Sequence, residues 1–69
     1  MGDYYDVNIV PQANGDHEVH TRTCTFRPWV ENRIELGYHY SCHTAVEQAK
    51  RHYPKSNGCW HCSRPCHTG

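Results

Sequence analysis

The sequence predicts a small α+β domain: an antiparallel sheet of about three strands, covered by one helix and closed by a C-terminal Cys-x2-Cys knuckle. Three observations carry this. Near the start, Tyr5, Val7 and Ile9 alternate with Asp6 and Asn8, the period-two pattern of a half-buried strand. Further on, Cys42, Ala45, Val46, Ala49 and Tyr53 recur at i, i+3, i+4, i+7 and i+11, one stripe of a helix with Glu47, Gln48, Lys50 and Arg51 facing out. Finally, five Cys and seven His in 69 residues far exceed ordinary usage.

Each element has its own local chemistry. Pro11 lacks the amide a sheet ladder needs and ends the first strand. Asn14-Gly15-Asp16 supplies turn residues that tolerate positive φ, so a second strand should begin near His17 and form a hairpin with the first. The stretch Cys24 to Asn32, with Pro28 and Trp29, reads as irregular. Arg33-Ile34-Glu35-Leu36 resumes the alternation, and Gly37 marks a strand end or a bulge. Ser41 suits a helix N-cap, its hydroxyl accepting from a free amide of the first turn. The helix should stop at Tyr53, because Pro54 forces the preceding residue away from the helical region. Asn57-Gly58 then reads as a turn into Cys59.

Size and composition set the energetic problem. A chain of 69 residues makes one domain, spanning residues 1–69, and its large aliphatics are few. Ordering each residue costs roughly 1.5 kcal/mol, so a core this thin calls for a metal, a disulfide or a partner subunit. The opening Met1-Gly2-Asp3-Tyr4-Tyr5-Asp6 is polar and acidic, without the apolar run of a secretory signal, and no stretch approaches a membrane span. The expectation is therefore a cytoplasmic protein without membrane contact, in which clustered Cys signifies metal binding or redox chemistry rather than cross-links. Seven basic and seven acidic side chains give a formal charge of zero, which argues against nonspecific nucleic-acid binding.

Cys59-Trp60-His61-Cys62 is a C-x2-C pair, whose spacing lets two thiolates reach one ion from a tight knuckle. A second pair, His20-x3-Cys24, lies upstream. In an extended strand His20 and Cys24 would sit roughly 13 Å apart, whereas two ligands of one zinc must lie within about 4 Å. Both can bind only if Thr21-Arg22-Thr23 leaves the strand and turns, so the second strand should end at or soon after His20. The expected site is a structural Cys3His zinc site, Zn2+ held by His20, Cys24, Cys59 and Cys62. Cys66 and His67, which extend the pattern to C-x2-C-x3-C-H, are alternative ligands that would replace His20 or Cys24. Cys42 lies on the apolar stripe and reads as a buried small hydrophobe. The remaining histidines, His61 included, read as surface or hydrogen-bonding groups.

This layout, a strand, His20-x3-Cys24, a Ser-capped helix and Gly58-Cys59-x2-Cys62, resembles the small Ada-type zinc-binding domains over roughly His17 to Cys62. It also resembles uncharacterised small bacterial Cys-His proteins that share Glu35-Leu36-Gly37, Ser41-Cys42, Ala45-Val46 and the Gly58 to His67 tail. The resemblance implies a zinc ion held by a pair spaced by three, then a helix, then a Cys-x2-Cys pair. In Ada a zinc-bound cysteine accepts a methyl group from a DNA phosphotriester. Here His20 stands where a thiolate would be, and no basic DNA-binding surface is evident, so the site reads as structural.

Competing readings are a thioredoxin-like dithiol, a disulfide-stapled domain without metal, a nucleic-acid-binding zinc module and a hydrolytic zinc site. The dithiol should open a helix, and Ser63-Arg64-Pro65 is a poor helix start. A hydrolytic zinc needs an open coordination position and a nearby carboxylate. The four candidates would fill the shell, and no Asp or Glu is expected next to them. The sequence therefore points to a noncatalytic, zinc-stabilised module. Its partner would be a protein or a second copy of itself, met through the hairpin edge or the Trp29 loop, with nucleic acid as the alternative.

Overall fold

A computed structural model describes residues 2–68. The chain forms β1 (Asp3–Asn8), β2 (His17–Thr21), β3 (Arg33–His39), α1 (Cys42–Ala49) and β4 (Ser56–Gly58), with short 3₁₀ turns at Val30–Asn32 and Arg64–Cys66. The sheet order is β3-β1-β2-β4. β1 pairs antiparallel with both β2 and β3, whereas β4 runs parallel to β2, His17 opposite Ser56 and Val19 opposite Gly58. The sheet is thus four-stranded and mixed, which corrects the expected antiparallel sheet of about three strands. The extra strand was hidden because Ser56-Asn57-Gly58 has turn composition. It pairs because this segment is wholly buried, and buried amides and carbonyls need partners.

The hairpin loop is closed by the Asn14 side chain, which accepts from the Asp16 amide, and by Gly15 at φ +90°. Gly37, at φ +80°, sits at a bulge: Tyr5 faces Gly37 and Asp6 faces Glu35, leaving Leu36 as the extra residue. β3 runs on past this bulge to His39. Ser41 has the extended backbone of an N-cap but makes no side-chain capping bond. Regular helix ends at Ala49, earlier than the Pro54 signal suggests. The Tyr53 amide still bonds to the Ala49 carbonyl at 2.9 Å, and the Tyr53 ring stacks on His17 at 3.8 Å between centroids.

The helical stripe does bury as its spacing implies. Cys42, Ala45, Val46 and Ala49 pack on Tyr5, Val7, Val19 and Leu36, with Ile34, Tyr53 and Cys66 at the margin. Cys42 is not a free core thiol, however. It is disulfide-bonded to Cys66, tying the start of α1 to the C-terminal segment. In the chain-entropy model, closing a loop across a separation of 24 residues contributes about 3.5 kcal/mol.

The other pleat of β1 and β2 departs from simple alternation. Asp6, expected on a solvated face, is fully buried. Residues 22–29 fold across it, and Arg27 reaches back to pair with Asp6 while also bonding to Glu35 and the Arg22 carbonyl. Arg33 holds Glu35 and the Pro28 carbonyl, fixing the far end of the same loop. Burial pushes the Asp6 carboxyl above its usual range even though the Arg27 bond and charge pull it down.

Removing Arg27 should therefore strand a buried charge. Arg27→Met is expected to cost about 3–5 kcal/mol, read by urea denaturation. The double variant Asp6→Asn/Arg27→Met should recover most of that loss.

A candidate metal centre

Four side chains from three segments converge beside the β2–β4 junction. β2 ends at Thr21, one residue beyond His20. The chain then turns, the Cys24 amide bonding to the Thr21 carbonyl at 3.1 Å, and this turn brings Cys24 back towards His20. From the other end, the parallel pairing of β4 with β2 continues past Gly58: the Cys59 amide bonds to the Val19 carbonyl at 3.0 Å. Cys59 therefore sits on the rung next to His20. The Ser63 amide bonds to the Cys59 carbonyl at 2.9 Å, closing the knuckle that returns Cys62 to the same point.

One donor atom from each of His20, Cys24, Cys59 and Cys62 lies within 4.8 Å of all the others. The Sγ atoms of Cys24 and Cys59 are 3.9 Å apart. A tetrahedral ion with bonds of about 2.3 Å places two sulfurs about 3.8 Å apart. His20 and Cys59 are almost fully buried, Cys24 and Cys62 partly so.

The surroundings are those of thiolates. The Phe26 amide points at Cys24 Sγ (3.4 Å), the His61 amide at Cys59 Sγ (3.4 Å) and the Thr21 amide at Cys62 Sγ (3.2 Å). Two of these are i to i+2 contacts, so the Cys24 loop and the Cys59 knuckle make the same local turn. The rings of those two donor residues, Phe26 and His61, stack on each other at 4.3 Å, locking one turn against the other. His61 itself is exposed, outside the donor set.

Charge is the difficulty. Burial pushes the Cys24 thiol up to about 12, and it raises Cys59 as well. At Cys62 burial also pushes upward, but the adjacent His20 ring, the Thr21 amide and the Ser63 hydroxyl outweigh it and bring the thiol down to about 6. Without a cation the cluster can keep one thiolate at neutral pH but not three. A bound dication would supply the missing positive charge and stabilise all three thiolates.

His20 completes the fit. Its Nδ1 is buried with no hydrogen-bond partner, and a buried nitrogen left this way is costly. Its Nε2 lies 3.5 Å from Glu18 Oε1. One ring nitrogen lies among the three sulfurs, and the Glu18 carboxylate beside the ring can orient it and raise its basicity. Glu18 overturns the expectation that no carboxylate lies next to the four candidates.

The alternative ligands stand elsewhere. Cys66 is held in the disulfide with Cys42. His67 Nδ1 is 3.0 Å from the Gly58 carbonyl, with its ring edge-on to Trp60. Sequence reasoning missed Phe26, Thr21 and Ser63, whose roles depend on amide and hydroxyl direction. It also missed Glu18, for which the i, i+2 spacing to His20 on one strand face was an available signal.

Comparison of the chain with protein-family models, with curated proteins and with solved structures returns no match.

Glu18 gives the test of this geometry. Glu18→Gln should lower metal affinity about 10-fold or more, measured by competition with a chromophoric chelator, while leaving the fold intact.

Proposed function

We propose that this protein is a noncatalytic zinc module in which Zn2+, bound by His20, Cys24, Cys59 and Cys62, holds together a domain too small to be secured by its aliphatic core. The observation that carries this is the convergence of four donors within 4.8 Å, one of them on the buried His20 ring. Three sulfurs and one nitrogen suit zinc by ligand type, and four protein donors close its shell against a substrate. That closed shell is also the reason for reading the protein as a non-enzyme.

The domain then works by presenting a surface. Trp29 and Tyr40 are each 77% exposed, and so in large part are Val30 and Tyr38; Trp29 and Val30 precede the edge strand β3, Tyr38 lies within it and Tyr40 follows it. A protein partner suits this surface better than a nucleic acid. The formal charge is zero, and affinity for a nucleic acid comes mainly from cations that neutralise its phosphates. The ligand order along the chain supports likeness to the Ada-type domains in layout alone. Free zinc-binding thiols suit a reducing cytoplasm, where the Cys42–Cys66 bond would be the exception.

Metal analysis of protein with the Cys42–Cys66 bond intact should give one zinc per chain. Apparent binding free energies of structural zinc run on the order of 10–16 kcal/mol, comparable with the stability of a whole domain. Stripping the ion with a chelator should therefore collapse the amide NMR dispersion of residues 18–27 and 56–63. A metal-free chain that keeps its full dispersion would overturn the proposal.

A further inference from the structure

A second set of soft donors meets at the other end of the C-terminal segment. The Sγ atoms of Cys42 and Cys66 and a ring nitrogen of His43 lie within 4.8 Å of one another. Cys42 and His43 are the first two residues of α1, and Cys66 closes the 3₁₀ turn that follows the knuckle. The two sulfurs are joined as a disulfide. None of these residues belongs to the first centre.

Three features make this corner more than a staple. His43 is exposed, so its ring needs little rearrangement to turn a nitrogen onto the sulfurs. Cys42 opens the first turn of an eight-residue helix, where free amides and the helix dipole favour a thiolate over a thiol. His43 and Cys66 also line an open cleft of about 490 Å³ together with Glu47, Lys50, Pro65 and Thr68. A metal held here would have three protein donors and a fourth position facing that cleft, the pattern of an open rather than a closed site.

We propose that reduction of the Cys42–Cys66 bond converts this corner into a second metal site, an open Cys2His centre for a divalent d10 ion of the zinc class. The chemistry balances. A dithiol reductant gives two electrons and two protons to the S–S bond, leaving two cysteine thiols and its own disulfide. Metal entry then displaces both thiol protons to solvent, while neutral His43 binds through a ring lone pair. Two thiolates cancel the charge of the dication, and the cleft wall carries one charge of each sign, Glu47 and Lys50, so the fourth position takes water or a small anion. A disulfide oxidant reverses the sequence: it takes two electrons from the two thiolates and two protons from solvent to become a dithiol, the Cys42–Cys66 bond re-forms and the ion is released. The first centre holds its ion in both states, so metal stoichiometry becomes a readout of redox state.

The test compares the full chain before and after reduction with a thiol-free phosphine, without oxygen, titrating Zn2+ and, as its coloured stand-in, Co2+. Reduced protein, with all five thiols accounted for by a thiol assay, should bind one equivalent more than the disulfide form. The added Co2+ should show weaker thiolate-to-metal absorption than the first, two sulfurs against three. His43→Ala should weaken the second equivalent at least 10-fold and leave the first unchanged. If reduction loosens the fold, the second equivalent of Zn2+ should restore amide NMR dispersion. Equal metal uptake by the two forms overturns the proposal, as does a loosened chain that no amount of Zn2+ restores. Because the readout is a difference between two redox forms, it stands whether or not the first centre binds as proposed.

Discussion

The His20 ring and the three thiols beside it impose a constraint that most of the molecule serves. Their donor atoms come from residues separated by as much as 42 positions and must still meet within a few ångströms. Two pieces of backbone make this happen. The turn after Thr21 folds Cys24 back on the end of β2, and the parallel β2–β4 pairing sets Cys59 beside His20. β4 is only three residues long, yet without it the knuckle would have no fixed position relative to the histidine. The Phe26–His61 stack and the three amides directed at sulfur then hold the two turns in register.

The sheet separates two different kinds of interior. On the α1 side, small aliphatic residues and two aromatics form a thin apolar core, reinforced by the Cys42–Cys66 bond. On the other side the buried residues are polar: Asp6 paired with Arg27, His20, and the donor sulfurs. Such an interior contributes little transfer free energy and is expensive wherever a group lacks its partner. It is stable to the extent that each charge has its counterion, which for Asp6 is Arg27 and for the thiols could be a metal cation. Gly58 lies between the two regions. A Cβ there would come within 2.7 Å of the Ser63 carbonyl oxygen and of Cys66 Cβ, so the metal knuckle and the disulfide segment pack through the one position that carries no side chain.

The two cysteine clusters share one segment and differ in closure. In the first, four protein donors surround one point, which suits an ion that is retained. In the second, three donors sit at the rim of a cleft with their sulfurs already bonded to each other, which suits exchange. Chemically similar residues a few positions apart thus stand in different settings, Cys62 among the four converging donors and Cys66 bonded to Cys42.

Sequence alone determined what is written in local spacing. The 3.6-residue stripe from Cys42 to Ala49, the Asn14-Gly15-Asp16 hairpin loop and the C-x2-C knuckle are short-range patterns, each with a direct steric or ligand-geometry cause. The need for a turn after His20 was also legible, because ligand distance and strand rise cannot both be satisfied otherwise. Tertiary structure decided what depends on contacts distant in the chain. It made Ser56-Asn57-Gly58 a strand, because buried amides there had to pair with β2. It buried Asp6, because a loop carrying Arg27 closed over it. It also drew Cys66 away from the four converging donors by placing it against Cys42, and set Glu18 beside the His20 ring. Residue type names the candidates for a bond, and only the path of the folded chain selects which of them meet.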